Sequence, residues 1–500
     1  MRKNSEKKQK INILPKSYGL SVAMLAMLLI QELLLFLIML LDILPAKYAA
    51  LLIVVFILLD FGLLKLMNTR KKVTNKRLVG LILSIAVINV SLLGCSYLYN
   101  TLDTFQKIST DGRQMEDYHV IVLEESKYEK VKEIEGKTVY ILDTESKMYK
   151  EAKERLLTKI SVTYEADEDI ATVAEHLVDP KEKLHDEIIF LSNANYEILR
   201  EENKTFRKNT RILFSIPVAV KSDDFAKRIN VTEDPFNIFI SGVDTRGEIE
   251  NVARSDVNML VTVNPETREI LLTSIPRDSY VELHSYGMMD KLTHSGIFGV
   301  DETIKTVEDW LGIEINYYYR VNFKMLVSLV DAIGGITVDV PKAFSSTYWN
   351  YSFNEGENQL DGGAALAFVR ERKNLEDEDE ERGRNQQRVL KAIIKKVTSS
   401  KVILTNYTDI LNAVESHMET NMSNKDMSAL VKMQLNDMSK WTIKTIAIDG
   451  DGAERGTYSM GPRKPLYVSV PKPESVEAVK KEIHAVMYPP EGGVAEEEKR

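Results

Sequence analysis

Three long apolar runs stand out in the N-terminal part of the chain, at 18–44, 46–67 and 78–99. Each reaches the roughly 20 residues that a helix needs to cross the hydrocarbon core of a bilayer. A cleaved signal peptide does not explain them, because the first run is too long and two more follow it. The pattern therefore predicts three transmembrane helices within 17–100, preceded by a short segment at 1–16.

The basic residues beside these runs predict their orientation. Six Lys and Arg residues precede the first run and five lie within 70–77, whereas the loop between the first two runs contains only Lys47. Short loops rich in Lys and Arg remain on the cytoplasmic side of a membrane. We therefore expect a multi-pass protein of a bacterial plasma membrane, with a cytoplasmic N-terminus and an extracytoplasmic chain beyond the third helix.

Three residues within the apolar runs are candidates for a function of their own. Glu32 and Asp60 are acidic, and an intramembrane carboxylate is either functional or turned towards another helix. Cys95 follows a lipobox-like Leu-Leu-Gly sequence, but it lies near the end of a third helix, which predicts an ordinary buried thiol. It is the only cysteine, so the chain forms no internal disulfide.

After the anchor, short apolar runs alternate with helical periodicity, which is the pattern of a small α/β domain at 105–225. The predicted strands are 119–123, 138–142 and 187–191, and the predicted helices are 147–159 and 170–177. No metal-ligand spacing, nucleophile motif or glycine-rich phosphate loop occurs in it. The sequence therefore indicates a spacer or recognition domain, which we call the accessory domain.

A second and larger α/β domain is predicted at 234–487, followed by a tail at 488–500 whose Pro, Gly and Glu content indicates disorder. The predicted strands are 236–240, 257–263, 270–275, 336–340 and 365–369, and the predicted helices are 303–311, 323–333 and 385–398. The fold class is thus α/β, with three transmembrane helices before two α/β domains.

The net charge of −9 is unevenly distributed along the chain. Residues 1–77 contain 13 Lys and Arg against 4 Asp and Glu, a net charge of +9, so the remainder carries −18. Nucleic-acid binding requires a basic face, so an acidic remainder argues against a nucleic-acid partner. Any anion bound there must be held by a local group of basic side chains.

Two aspartates flank the first two predicted strands of the larger domain. Asp244 follows 236–240, and Asp256 opens 257–263. If these strands form a hairpin, the two carboxylates approach each other and suit Mg²⁺, which takes few protein ligands alongside water and phosphate oxygens. The alternative is that both residues serve tight turns, which favour Asp.

Arg277 lies at the tip of another predicted strand, where Pro276 ends the apolar run. Strand tips are where α/β sheets bind ligands, so Arg277 is a candidate binding residue. The alternative is a surface ion pair with the adjacent Asp278.

A further set of polar residues surrounds an acidic run at 376–381. Arg370 and Arg372 lie two apart on a segment predicted to be extended, so their side chains share a side. Arg382 and Gln386 lie four apart and share a face if their helix begins by Arg382. Several guanidinium groups together suit a pyrophosphate, because each binds phosphate oxygens in a bidentate manner.

Seven short motifs between about 234 and 448 resemble, in this order, those of the LytR-CpsA-Psr family of Gram-positive cell envelopes. They are FISGVD at 239–244, RSD at 254–256, IPRD at 275–278, DKLTH at 290–294, LVDAIGGI at 329–336, FVRER at 368–372 and RGRNQQ at 382–387. The three N-terminal helices and the inserted domain are most similar to the CpsA branch, which is associated with capsular polysaccharide.

The resemblance implies an α/β/α sandwich whose apolar cavity takes a polyprenyl chain, and a Mg²⁺-dependent phosphotransferase, with Mn²⁺ as a second candidate ion. Such an enzyme moves a glycopolymer from a polyprenyl-pyrophosphate carrier to a peptidoglycan hydroxyl. The expected partners are the lipid-linked polysaccharide, peptidoglycan, membrane lipid and capsule-synthesis membrane proteins. Two other functions stay open: a non-catalytic regulator that senses the carrier lipid, and a hydrolase of the same pyrophosphate.

The resemblance also assigns roles to residues of this sequence. Asp244 and Asp256 hold the metal and, with Arg277, form the catalytic set; the pyrophosphate is bound by Arg254, Arg277, Arg370, Arg372, Arg382 and Gln386. Lys291 and His294 match a motif too, with local structural bonding as the alternative. Asp256, Asp278 and a metal-bound water remain alternatives for the base. Glu371, between the paired arginines, departs from the family pattern, as does the acidic run.

Overall fold

A computed structural model of the chain describes residues 18–67, 74–109, 113–144, 146–221, 225–243, 254–375, 378–399, 402–415 and 417–490. The chain forms two compact units. The anchor unit comprises Met1–Gln106 and Ser423–Met438, and the globular unit comprises Lys107–Met422 and Ser439–Arg500.

The anchor unit contains three described helices long and apolar enough to span a membrane, as predicted. They are α1 (Tyr18–Leu41), α2 (Ala46–Met67) and α3 (Thr74–Ile108). The Cys95 side chain is buried beside Leu34 and Ile38, which confirms the ordinary buried thiol. These helices form the membrane anchor of the protein.

The two intramembrane acids lie in different surroundings. Asp60 faces another helix: the side-chain amide nitrogen of Gln31, in the orientation that lets it donate, lies 3.3 Å from each carboxylate oxygen of Asp60. The side chain of Glu32 is exposed on the outside of the described helices. The expectation of an interhelical contact therefore holds for Asp60 and fails for Glu32.

The accessory domain contains a five-stranded sheet among its described residues. Its elements are β1 (Arg113–Leu123), β2 (Thr138–Leu142), α4 (Lys147–Leu157), β3 (Thr163–Asp167), α5 (Ile170–Glu175), β4 (Ile189–Ser192), α6 (Asn193–Glu202), α7 (Lys204–Asn209) and β5 (Thr210–Lys221). The strand order is β3-β2-β4-β1-β5, with β2 parallel to β3 and β4 and with β1 antiparallel to β4 and β5. Strand β3 was not predicted, because it lies at a sheet edge and is largely exposed, so it lacks an apolar pattern.

The larger domain is built on a central six-stranded sheet in the described residues, with the order β16-β11-β6-β7-β8-β17. Its strands are β6 (Phe236–Val243), β7 (Val257–Asn264), β8 (Glu269–Ile275), β9 (Tyr280–Glu282), β10 (Met289–Lys291), β11 (Tyr317–Asn322), β12 (Ile336–Val340), β13 (Phe344–Ser345), β14 (Ser352–Phe353), β15 (Gly356–Leu360), β16 (Met418–Thr420), β17 (Thr442–Ala447), β18 (Gly450–Thr457) and β19 (Gly461–Pro471). Its helices are α8 (Leu292–Ser295), α9 (Val300–Leu311), α10 (Phe323–Ala332), α11 (Gly362–Arg370), α12 (Glu378–Ser399), α13 (Val402–Thr405), α14 (Tyr407–Glu415), α15 (Asn424–Asp437) and α16 (Pro473–Met487).

Helices cover both faces of this sheet, which makes the domain an α/β/α sandwich. Side chains alternate between the faces of a strand. On one face Leu271 and Ile275 of β8 join a buried cluster with Val307 of α9 and Val479 of α16. On the opposite face Ser274 of β8 lies against α12, which also contacts β17.

Helix α15 belongs to the anchor unit although its sequence lies within the larger domain. The Nζ atom of Lys432 donates a hydrogen bond to Oδ1 of Asp42, in the turn between α1 and α2, at 2.7 Å. Lys47, at the start of α2, donates to the backbone carbonyl of Asn436. The turn between the first two membrane helices therefore contacts α15.

The prediction of a strand at 365–369 is wrong, because these residues lie in α11. Asp361 caps this helix by accepting a hydrogen bond from the backbone N–H of Ala364 at 2.8 Å. Ala365, Ala367 and Phe368 are all fully buried. A short segment buried on all sides has a continuous apolar sequence, so its periodicity cannot separate a helix from a strand.

Candidate active site

A cleft of about 530 Å³ opens at one end of the central sheet. Strands β8 and β17 are parallel and end at this cleft, while β7 begins beside it. The lining side chains include Asp256, Asn258, Ser274, Arg277, Asp278, Arg372, Glu380, Arg382, Gln386, Tyr467 and Ser469. The cleft therefore lies at the carboxyl ends of parallel strands, where α/β sheets bind their ligands.

Backbone and hydroxyl contacts fix Asp256 at this edge. The backbone N–H of Asp256 donates to the carbonyl of Gly242 at 2.9 Å. The Oγ atoms of Ser255 and Ser241 lie 2.7 Å apart, and both side chains are buried. These contacts hold the start of β7 against the end of β6. Asp244, the other predicted metal ligand, lies outside the described residues.

Arg277 is surrounded by carboxylates. Its Nη1 atom donates to Oδ1 of Asp256 at 2.9 Å, and its Nε atom lies 3.6 Å from Oδ2 of Asp278. Its Nη2 atom lies 3.5 Å from Oε1 of Glu201, a residue of the accessory domain. Burial alone would lower the pKa of Arg277, but Asp256, Asp278 and Glu201 outweigh it and raise that pKa. Arg277 is therefore a fixed, permanently charged group on the wall of the cleft.

Helix α12 brings Arg382 and Gln386 to the same cleft. The helix begins at Glu378, so the two residues lie on one helical face, as their spacing required. Gly383 lets the helix approach β8, since a Cβ atom there would lie 2.6 Å from Oγ of Ser274. The side chain of Gln387 donates to the backbone carbonyls of Leu272 at 2.9 Å and Ile446 at 2.6 Å, which ties the helix to β8 and β17.

The paired arginines separate in the structure. Arg372 lines the cleft. Arg370 ends α11 and lies outside the described lining, with its guanidinium 4.7 Å from the ring centroid of Phe323 and 5.5 Å from that of Trp349. The expectation that both side chains share a side is wrong, because Arg370 is helical and only the following residues are extended.

Glu371 has a structural role in this arrangement. Its buried carboxylate accepts hydrogen bonds from the backbone N–H of Thr347 at 2.5 Å and from the Thr347 hydroxyl at 2.7 Å. Burial alone would raise its pKa, but these bonds and the Asn374 backbone N–H lower it. In the acidic run, Glu381 pairs with Arg384 at 3.0 Å and Arg388 at 2.5 Å, and Glu380 lines the cleft.

Two residues of the DKLTH motif have different roles. Lys291 reaches the site, with Nζ 3.3 Å from Oδ1 of Asp278. His294 is buried, with Nδ1 2.8 Å from Asp290 and 2.7 Å from the hydroxyl of Ser459. His294 thus makes the local structural bonds that were its alternative, whereas Lys291 belongs to the charged network of the site.

The accessory domain contributes two side chains that the sequence did not predict. Glu201 accepts a hydrogen bond from Arg254 and also faces Arg277. Glu202 lies 3.6 Å from Nζ of Lys291. Both residues end α6, where acidic residues at the end of an amphipathic helix have the pattern of a solvated face. Nothing in their sequence pattern indicated this contact.

The oxygen atoms near Asp256 fit a hard divalent cation. Oδ1 of Asn258, two residues further along β7, is buried and has no hydrogen-bond partner among the described residues. Asp256 and Asn258 both line the cleft, and Mg²⁺ prefers such oxygen ligands. Among the described residues, which exclude Asp244, no group of three or more His, Cys, Asp or Glu side chains could hold a metal by itself.

Comparison with known proteins identifies the family. The family model "LytR_cpsA_psr family" matches residues 196–474. The chain is 39% identical over 195 residues to the polyisoprenyl-teichoic acid–peptidoglycan teichoic acid transferase TagU of Bacillus licheniformis, an alignment that covers 39% of this chain and 62% of that protein. It is 38% identical over 209 residues to TagU of Bacillus subtilis, covering 41% of this chain and 67% of that protein.

Solved structures are also similar to about half of the chain. The crystal structure of B. subtilis TagU is 32% identical, with a TM-score of 0.39, covering 51% of this chain and 97% of that one. TagT bound to LI-WTA is 30% identical, with a TM-score of 0.42, covering 53% and 96%. Because the family model covers more than half of the sequence, the chain belongs to the LytR-CpsA-Psr family.

Proposed function

We propose that this protein is a membrane-anchored phosphotransferase that moves a glycopolymer from a polyprenyl-pyrophosphate carrier onto peptidoglycan. The observation that carries the proposal is the convergence of Arg277, Arg372 and Arg382 on one cleft at the end of the sheet. Guanidinium groups bind phosphate oxygens in a bidentate manner, and three of them suit the charge of a pyrophosphate. The teichoic acid transferases to which the chain is similar support this reading.

In the proposed reaction an acceptor hydroxyl of peptidoglycan attacks the phosphorus that carries the sugar. A new P–O bond forms to the acceptor, the P–O bond to the bridging oxygen breaks, and polyprenyl phosphate leaves. Arg277, Arg372 and Arg382 stabilise the negative charge that grows on the leaving phosphate, and Gln386 donates to a phosphate oxygen. The cleaved linkage is an anhydride, so the reaction needs no nucleotide.

The proton of the acceptor hydroxyl must move to a base. Asp256 and Asp278 are the carboxylates of the cleft that contact Arg277, and either can accept this proton. Asp278 is also held by Lys291, which keeps its carboxylate in place. The two aspartates thus orient Arg277 and face the reacting phosphate from the same wall.

A divalent cation fits the proposed site, with Mg²⁺ as the first candidate and Mn²⁺ as the second. Asp256 and Asp244 would hold it, and the buried Oδ1 of Asn258 adds an oxygen on the same side. When bound, the ion supplies Lewis-acid stabilisation of phosphate oxygens.

We further propose that the polymer is a capsular or related polysaccharide and that the globular unit is extracytoplasmic. The three-helix anchor and the inserted accessory domain, which are similar to the CpsA branch, support the polymer class and suggest capsule-synthesis membrane proteins as partners. The orientation is supported by the basic segments at 1–16 and 70–77 and by the contact of Asp42 with Lys432. That contact joins α15, whose sequence lies within the larger domain, to the turn between α1 and α2.

The test is a transfer assay with the full chain in liposomes. Lipid-pyrophosphate-linked capsular glycan, Mg²⁺ and peptidoglycan are supplied, and attached glycan is measured for the wild type and for Arg277→Ala. The matched control is Arg155→Ala, a half-buried arginine of the accessory domain that pairs with Glu151 and donates to the carbonyl of Pro217, away from the cleft. We expect attachment by the wild type and the control, and its loss in Arg277→Ala.

The alternatives give different results in the same assay. Release of free phosphorylated glycan without attachment would identify a hydrolase. Binding of the lipid-linked glycan without any turnover, with and without Mg²⁺ or Mn²⁺, would identify a lipid-sensing regulator. Either outcome would overturn the transferase proposal.

A further inference from the structure

The last turn of helix α6 reaches from the accessory domain into the network of basic residues beside the cleft. The carboxylate of Glu201 bridges Arg254 and Arg277, and the next residue, Glu202, faces Lys291. These contacts join two domains that are separate in sequence. They also place the carboxylate of Glu201 against the guanidinium of Arg277, which binds the pyrophosphate in the proposed function.

The accessory domain is held firmly in this position. Met460, in the turn between β18 and β19, and Leu466 of β19 are buried in the same cluster as Ile121 and Phe206 of the accessory domain. In addition, Nζ of Lys464 donates to the backbone carbonyl of Glu202 at 3.3 Å, at the carbonyl end of α6. The position of Glu201 therefore follows from an apolar domain contact and not from one surface ion pair.

Each nitrogen of the Arg277 guanidinium faces a different carboxylate. Asp256 binds Nη1 at 2.9 Å, Asp278 lies near Nε and Glu201 lies near Nη2. A phosphate that binds Arg277 in a bidentate manner needs two of these nitrogens. Asp256 accepts a hydrogen bond from Nη1, so a phosphate that uses Nη2 approaches the carboxylate of Glu201 and is repelled by it unless Glu201 turns away.

Glu201 is the carboxylate best suited to leave. Asp256 makes the shortest contact with Arg277, and Asp278 is shared with Lys291. The side chain of Glu201 is 36% exposed, against 16% for Asp256 and 9% for Asp278, so it can turn towards water. Burial alone would raise its pKa, but Arg254, Arg277 and Lys291 hold it at about 2, so protonation does not release it near neutral pH.

We propose that Glu201 occupies a phosphate position on Arg254 and Arg277 in the ligand-free protein and is exchanged for a phosphate of the lipid-linked substrate on binding. The accessory domain then lowers the affinity of the cleft for pyrophosphate, because a pyrophosphate must displace Glu201 to bind Arg254 and Arg277. This inference rests on the proposed function, because it assumes that Arg277 binds the pyrophosphate.

The exchange predicts that removing the charge of Glu201 strengthens pyrophosphate binding. The experiment is calorimetric titration of the detergent-solubilised full chain with geranyl pyrophosphate and Mg²⁺, comparing the wild type with Glu201→Gln and Glu201→Ala. Both variants should bind about tenfold more tightly, since a charge-assisted contact no longer competes. The matched control, Glu197→Gln on the same helix, removes a carboxylate that pairs with Arg200 and should bind like the wild type.

Three outcomes separate this inference from the proposed function. If the wild type binds the probe and both Glu201 variants bind equally well or more weakly, Glu201 does not compete and the exchange is wrong. If the wild type fails to bind the probe, and Arg277→Ala is indistinguishable from it, the pyrophosphate site itself is wrong. Tighter binding by both variants, with thermal unfolding like that of the wild type, supports the exchange.

Discussion

Nη1 of Arg277 and Oδ1 of Asp256 are 2.9 Å apart and connect the tip of β8 to the start of β7. This pair places a permanent positive charge and an anionic oxygen side by side on the wall of one cleft. In the proposed phosphotransferase, the first would bind the phosphate and the second would serve the metal or the acceptor proton. The geometry of this pair underlies the first prediction.

Arg277→Lys should lower the rate of glycan transfer about a hundredfold, because one ammonium group cannot replace a planar fork that is held by carboxylates and, in the proposed function, binds a phosphate in a bidentate manner. The rate is measured in the liposome assay at saturating lipid-linked glycan. Arg155→Lys, at a half-buried arginine in the accessory domain, is the control and should retain the wild-type rate. A lysine variant with undiminished transfer would show that charge alone is sufficient at this position.

Gly383→Ala should reduce binding of geranyl pyrophosphate, even though alanine has a higher helix propensity than glycine. The new Cβ would lie 2.6 Å from Oγ of Ser274, so the Ser274 hydroxyl must turn or α12 must shift, and a shift of α12 carries Arg382 and Gln386 with it. We expect about a tenfold weaker affinity, in line with an overpacking cost of about 1–3 kcal/mol.

The double variant Gly383→Ala/Ser274→Ala provides the control for this prediction. It removes the hydroxyl and leaves the Ser274 Cβ at 3.6 Å, an ordinary contact distance. The double variant should recover most of the affinity. Failure to recover would mean that the loss has another cause than the approach of α12 to β8.

Replacement by leucine should impair stability at Gln387 and glycan transfer at Gln386, although the two residues are adjacent. Gln387→Leu should lower the free energy of unfolding by about 2 kcal/mol, because it removes the two hydrogen bonds to the carbonyls of Leu272 and Ile446. Gln386→Leu, which changes only the lining of the cleft, should reduce transfer and leave stability within about 0.5 kcal/mol. The free energy of unfolding is measured with denaturant, and transfer is measured in the liposome assay. A Gln387→Leu variant as stable as the wild type would contradict the structural role assigned to Gln387.

Glu116, buried on β1 of the accessory domain, should make stability depend on pH. Burial raises its pKa from 4.5 to about 8, against the lowering effects of the Ala194 backbone N–H, Ser192 and Arg320. The folded state therefore holds a proton that the unfolded state has released, and this residue's contribution to stability falls as the pH rises from about 4.5 to about 8.

Thermal unfolding of the full chain between pH 5 and pH 8 measures this effect. Glu116→Gln keeps an acceptor for the Ala194 N–H and removes the titration, so its melting temperature should decline less with pH than that of the wild type. Equal slopes for the two proteins would show that Glu116 is already ionised when folded. The nearby Asp117 is retained in both proteins and cancels in the comparison.

Much of the cleft could be predicted from spacing, because the relevant residues lie at strand tips or on one helical face. Arg277 follows β8, and Arg382 with Gln386 lies on α12, so local geometry fixes where their side chains point. Arg370 was misplaced because α11 is buried on all sides and its apolar sequence has no helical period. The contact of Glu201 with Arg277 depends on domain packing, which leaves no local pattern in the sequence.

Strand β19 faces two neighbours through adjacent residues. The side chain of Leu466 is buried against residues of the accessory domain, whereas the side chain of Tyr467 lines the cleft. Successive side chains on a strand point in opposite directions, so a single strand serves both the domain contact and the reaction site. An exchange of the accessory domain between related genes would therefore have to carry β18 and β19 with it. The accessory-domain surface and this hairpin are therefore expected to change together in evolution, as two separate segments of the sequence that share one interface.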